Sequence, residues 1–96
     1  MEKIKVNEKE YNVQIFVTDE EKEKGLQGVT DLPKNEGALF VYDEPQTLGF
    51  WMKDCDLYLD IIFVNEEWEV ISVKKGVPNS EEILEEDDVM YVLELN

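Results

Sequence analysis

The sequence predicts a mainly β fold with one short helix, built either as a small β-sandwich or as a partly open barrel. Three observations predict it. Apolar residues recur at every second position near both ends of the chain, turn-forming residues cluster between the apolar runs, and one central run is apolar on both faces.

Ile4 and Val6, then Tyr11, Val13, Ile15 and Val17, alternate on either side of Asn7-Glu8-Lys9-Glu10, which describes a half-buried hairpin. Thr18 with Glu21 three positions later is a capping-box pattern, and Asp19 to Glu21 place negative charge where a helix dipole is positive. Gly25 and Gly28 offer stop points, so the spacing predicts a helix over Asp19 to Leu26. Leu32-Pro33-Lys34-Asn35-Glu36-Gly37 is a turn by composition, because Pro fixes one backbone angle while Asn and Gly tolerate the left-handed region.

Ala38 to Tyr42, Leu48 to Lys53 and Tyr58 to Val64 are aromatic and β-branched runs, too short for typical helices. Asp43-Glu44-Pro45 and Asn65-Glu66-Glu67 are the breaks that bound them. In the third run Leu57, Leu59, Ile61 and Phe63 share one face while Tyr58, Asp60, Ile62 and Val64 share the other, so this strand is expected to be covered on both sides. Trp68 to Val73 pairs back across a hairpin, and Lys74 to Ser80 reads as a loop. Glu81, Glu82, Glu85, Glu86, Asp87 and Asp88 follow as a hydrated and locally mobile acidic segment. A final strand sets Val89, Tyr91, Leu93 and Leu95 on one face and Met90, Val92 and Glu94 on the other.

Composition sets the outer limits. Ninety-six residues, 43% of them hydrophobic, suit one domain over positions 1–96, with a monomer as the simplest assembly. Lys and Arg number 9 against 24 Asp and Glu, and the resulting net charge of −15 repels a phosphate backbone, so direct nucleic-acid binding is disfavoured. With no His, the chain cannot build a Ser/His/Asp or Cys/His triad or a His-ligated zinc site of its own. One Cys cannot close an internal disulfide, and no apolar stretch is long enough for a signal peptide or a membrane span. The cytoplasm is the expected compartment, with no membrane partner.

The densest chemistry lies in Gly49-Phe50-Trp51-Met52-Lys53-Asp54-Cys55-Asp56 and the following Leu59-Asp60. Read as a strand, this block sends Trp51, Lys53 and Cys55 one way and Phe50, Met52 and Asp54 the other, so an indole and an ammonium border one shallow site. The competing reading has Trp51 in the core, Lys53 reaching out to water and Asp54 capping a turn. Cys55 is the one reactive candidate, but no imidazole exists to activate its thiol, and Lys53 pulls its pKa opposite to Asp54 and Asp56. Asp54, Asp56 and Asp60 lack EF-hand spacing, and Gly25-Leu26-Gln27-Gly28 lacks the Lys and Ser or Thr of a phosphate loop. Neither a metal nor an organic cofactor is called for.

Gly25-Leu26, Leu32, Gly37 to Tyr42, Phe50 to Cys55, Leu59 to Phe63 and Tyr91 to Leu95 occur in an order that resembles the domain of unknown function 192 family, over roughly residues 11 to 96. The Phe-Trp-Met-Lys block followed by Leu-Asp-Ile is its most specific part. The resemblance implies a jelly-roll-like β fold with a short helix and no established activity, and it carries over Trp51, Lys53 and Asp60 as binding-site positions. Gln27, Val29, Ala38, Asp54, Cys55 and Tyr58 depart from the family pattern, and a further turn, helical turn and strand that usually follow are missing after Asn96. Members of that family often carry export signals.

The function expected on these grounds is a small non-enzymatic binding module. Trp51, Lys53, Asp54 and Asp60 would rim a shallow site for a small polar ligand or a protein segment. An acidic protein-interaction or nucleic-acid-mimic decoy is the alternative, resting on the charge of −15 and the run from Glu81 to Asp88. A carboxylate- or Cys-dependent hydrolase built on Lys53, Asp54, Cys55 and Asp60 comes third.

Overall fold

The computed structural model describes residues 1–96. Strands β1 (Glu2–Val6) and β2 (Lys9–Phe16) form the expected hairpin, turning through Asn7 and Glu8, both at positive φ. Helix α1 (Asp19–Lys24) is shorter than the sequence suggests, ending before Leu26. Its start is the predicted capping box: Thr18 Oγ1 accepts from the Glu21 N–H at 3.1 Å, and Glu21 Oε1 accepts from the Val17 and Thr18 N–H groups. Those two backbone donors hold the Glu21 carboxyl below the ordinary range. Gly25 ends the helix at φ +50, a conformation that suits glycine, with the Phe40 ring 3.4 Å from where a Cβ would stand.

Three further boundaries differ from the sequence reading. The two runs on either side of Asp43-Glu44-Pro45 are one strand, β3 (Glu36–Phe50), which passes through the proline at a break in register between Val41 and Gln46. Pro has no N–H to donate, and a bulge is where a ladder tolerates that loss. β4 (Leu59–Val64) pairs with β5 (Val70–Gly76), so Lys74-Lys75-Gly76 lies in a strand instead of a loop. β6 (Leu84–Leu95) includes four of the six acids of the acidic segment, and Leu84 to Glu86 pair with Leu48 to Phe50 across the long arm of β3. Glu86 is held there by Ser72 Oγ at 2.8 Å and by Lys74, and Asp87 accepts from Thr47 Oγ1 at 2.8 Å. The Ser72 hydroxyl, the Asp87 N–H and Lys74 together keep the Glu86 carboxyl below its usual range.

All six strands join one mixed sheet of order β1-β2-β3-β6-β4-β5, curled but not closed into a barrel. Its one parallel pair, β2 with β3, is bridged by the crossover that carries α1. Apolar residues fill both faces, as the central run predicted. One core contains Phe40, Met52, Ile61, Phe63, Val89 and Val92; the other contains Val6, Val13, Leu39, Leu93 and Leu95. A chain of edge-to-face rings, Phe16–Phe40–Phe50–Phe63, crosses the first core with centroids 5.2 to 6.1 Å apart, each contact adding about 1 kcal/mol beyond burial. On the other face the Trp68 indole N–H donates to the Lys5 carbonyl at 2.8 Å and its ring meets Tyr91 edge-on, tying the β4–β5 turn to β1.

Candidate functional site

The segment between β3 and β4 is a loop, so the strand alternation assumed for Trp51 to Cys55 does not apply. Met52 and Cys55 turn into the core while Trp51 and Lys53 face outward. Backbone bonds fix this shape: the Met52 N–H donates to the Ser80 carbonyl, the Cys55 N–H to the Met52 carbonyl, and the Asn79 N–H to the Cys55 carbonyl, at 2.9 to 3.0 Å. Gly76 makes room for the loop, since a Cβ there would lie 2.6 Å from Met52 Sδ.

A cavity of about 400 Å³ opens between this loop, α1 with the turn after it, and the face formed by β3 and β6. Phe40, Tyr42 and Phe50 supply its aromatic wall, with the buried Cys55 behind, Trp51 and Lys53 form one rim, and Lys22 and Lys24 of α1 the other. Two ammonium groups already lie over rings here. Lys22 Nζ stands 3.8 Å from the centre of Tyr42, and Lys53 Nζ 5.3 Å from that of Trp51.

Of the four residues expected to share a rim, Trp51 and Lys53 line this cavity and the other two do not. Asp54 occupies the tip of the loop's turn at φ 61, exposed and outside the lining. Asp60 sits on β4 in an ion pair with Lys75, beside a separate depression that includes Tyr58 and Asn96. Asp54, Asp56 and Asp60 do not gather into a metal cage, and no group of three or more Cys, Asp or Glu converges anywhere in the chain.

Glu94 is the residue that the sequence reading passed over. It is 5% exposed, the one charged residue in the buried set, and it lines the cavity from the middle of the sheet. Its strand neighbours are Ala38 on β3 and Ile61 on β4, neither able to bond a carboxyl. Burial pushes its pKa up to about 7. Burial first, then the charges of Glu94 and Asp19, raise Tyr42 to about 12, and burial with Glu94 and Asp56 raises the Cys55 thiol. The site therefore favours the neutral forms of all three groups, and a Cys55 thiolate nucleophile is disfavoured at neutral pH. A signal for Glu94 existed in the alternation, which set it on one face with Val92, a residue that the structure buries completely.

No helix is long and apolar enough to cross a membrane. No curated protein matches the chain. Among solved structures, a proposed transcription regulator from Sinorhizobium meliloti 1021 is similar to this chain with a TM-score of 0.90 at 28% identity, over 98% of this chain and 77% of that one. A protein of unknown function from Novosphingobium aromaticivorans DSM 12444 is similar with a TM-score of 0.89 at 30% identity, over 98% of this chain and 70% of that one. The motif order read from Gly25 to Leu95 is matched by a family model, DUF192, described as "Uncharacterized ACR, COG1430", which spans residues 2–96; the chain belongs to this family.

Proposed function

We propose that the chain is a small non-enzymatic binding module whose ligand, a small polar molecule, occupies the cavity between α1, the Trp51–Cys55 loop and the β3–β6 face. The observation that carries this reading is the cavity of about 400 Å³ with an aromatic wall and a rim of Trp51, Lys53 and Lys22. Its volume is that of a small-molecule site, and its lining joins an aromatic wall to charged side chains that can orient a polar ligand. A volume of about 400 Å³ suits a small molecule, so the small-molecule form of the reading is preferred. The free, buried Cys55 suits a reducing compartment such as the cytoplasm.

The charge of −15 argues against a direct DNA contact, so a regulatory role like the one proposed for the Sinorhizobium protein would run here through a ligand or a protein. The decoy reading loses support from the acidic segment itself, where Glu86 and Asp87 are engaged by Ser72, Lys74 and Thr47. A fragment screen on the Trp68→Phe variant, which leaves Trp51 as the only fluorophore of its kind, tests the binding reading. Hits should change Trp51 emission and shift the amides of Phe40, Trp51 and Lys53. A library whose hits all bypass these residues would refute it.

A further inference from the structure

We infer that the ligand of this cavity carries a cationic head, an ammonium or guanidinium, which the Glu94 carboxylate receives while the rings of the wall hold its apolar stem. The inference rests on the cavity being a ligand site and specifies what that site recognises.

Glu94 takes part in no side-chain hydrogen bond or ion pair. No side-chain nitrogen or oxygen sealed from solvent in this protein lacks a partner. Neither oxygen of the unpartnered Glu94 carboxyl is therefore sealed, and the opening beside this otherwise buried residue is the cavity that it lines. A buried carboxylate without a partner is costly, and a ligand that supplies N–H donors and positive charge removes that cost.

The chain's own cations do not serve. Lys22 and Lys53 lie over Tyr42 and Trp51, and neither pairs with Glu94. Their positions show instead that these ring faces attract ammonium groups. Around the cavity Asp19, Glu23 and Glu94 balance Lys22, Lys24 and Lys53, so the sign of the field at its mouth is set by the whole molecule. At −15 that field concentrates cations and repels anions. An anionic ligand would meet both this field and Glu94, and a neutral one would leave Glu94 without a counter-charge.

The test is an amide-shift titration of the full chain at about pH 8, where the carboxyl is ionised, with four probes of similar size: n-butylammonium, n-butylguanidinium, n-butanol and butyrate. The two cations are expected to shift Ala38, Phe40, Trp51 and Glu94, with butanol and butyrate about tenfold weaker or worse. Glu94→Gln, checked for folding by its thermal melt, should weaken both cations about tenfold or more and leave butanol unchanged. Equal or tighter binding of butanol or butyrate at the same amides would overturn the cation assignment and leave the cavity a ligand site. So would cation binding indifferent to Glu94→Gln. Silence of all four probes at these amides would overturn both readings. If the variant does not fold, the ranking of probes on the natural chain decides alone.

Discussion

Glu94 holds its proton more tightly in the folded chain than in the unfolded one, since burial raises it from 4.5 to about 7. Between these values the folded state binds more protons, so stability falls as pH rises and levels off above the folded pKa. The shift corresponds to a destabilisation on the order of 3 kcal/mol at pH 8. Glu94→Gln, which keeps the shape without the charge, should therefore be more stable than the natural chain at about pH 8 and nearly equal at about pH 5, by urea unfolding at both. A difference that does not grow with pH would mean the carboxyl is solvated. At this scale the sequence was partly legible. Trp51 and Lys53 stand at one cavity although they belong to a loop, while Asp60, adjacent in the motif block, is taken by Lys75. That pairing depends on Lys75 lying in β5, opposite Asp60, a register that spacing along the chain does not carry.

Elements were easiest to read where local chemistry decides them. The capping box at Thr18 and Glu21 formed as the sequence predicts, and α1 depends on it, because none of its six residues is buried. Thr18→Ala should cost about 1 kcal/mol in denaturant unfolding. Amide exchange should accelerate across Asp19 to Gln27, one wall of the cavity, and remain slow in β3 and β6. Uniform acceleration would place the cap's effect in the sheet instead. Elements fixed by partners were harder to read. Pro45 and its acidic neighbours look like a terminus, yet β3 continues through them because the β6 arm lies alongside, and Glu86 becomes a strand residue because Ser72 and Lys74 face it.

Across the whole molecule, 24 acids share space with 9 bases and only two ion pairs form. Self-repulsion at this net charge opposes compaction and is screened by salt. Raising NaCl from about 10 to about 200 mM should lift Tm by a few degrees at neutral pH. A Tm that stays flat or falls would show that the charges are placed to avoid one another. The mainly β class and the double-sided core were legible from period-two alternation and from the apolar faces of Leu59 to Val64. The parallel pairing of β2 with β3 was not, because alternation is the same in parallel and antiparallel strands.

The strand that joins the two halves of the sheet, β6 between β3 and β4, is the sixth of six in chain order. On a ribosome, β3 and β4 must each wait with one edge unpaired until residues 84–95 clear the exit tunnel. Completion of the sheet is thus a late, long-range event, of the kind that makes β proteins slow to fold and open to capture by chaperones.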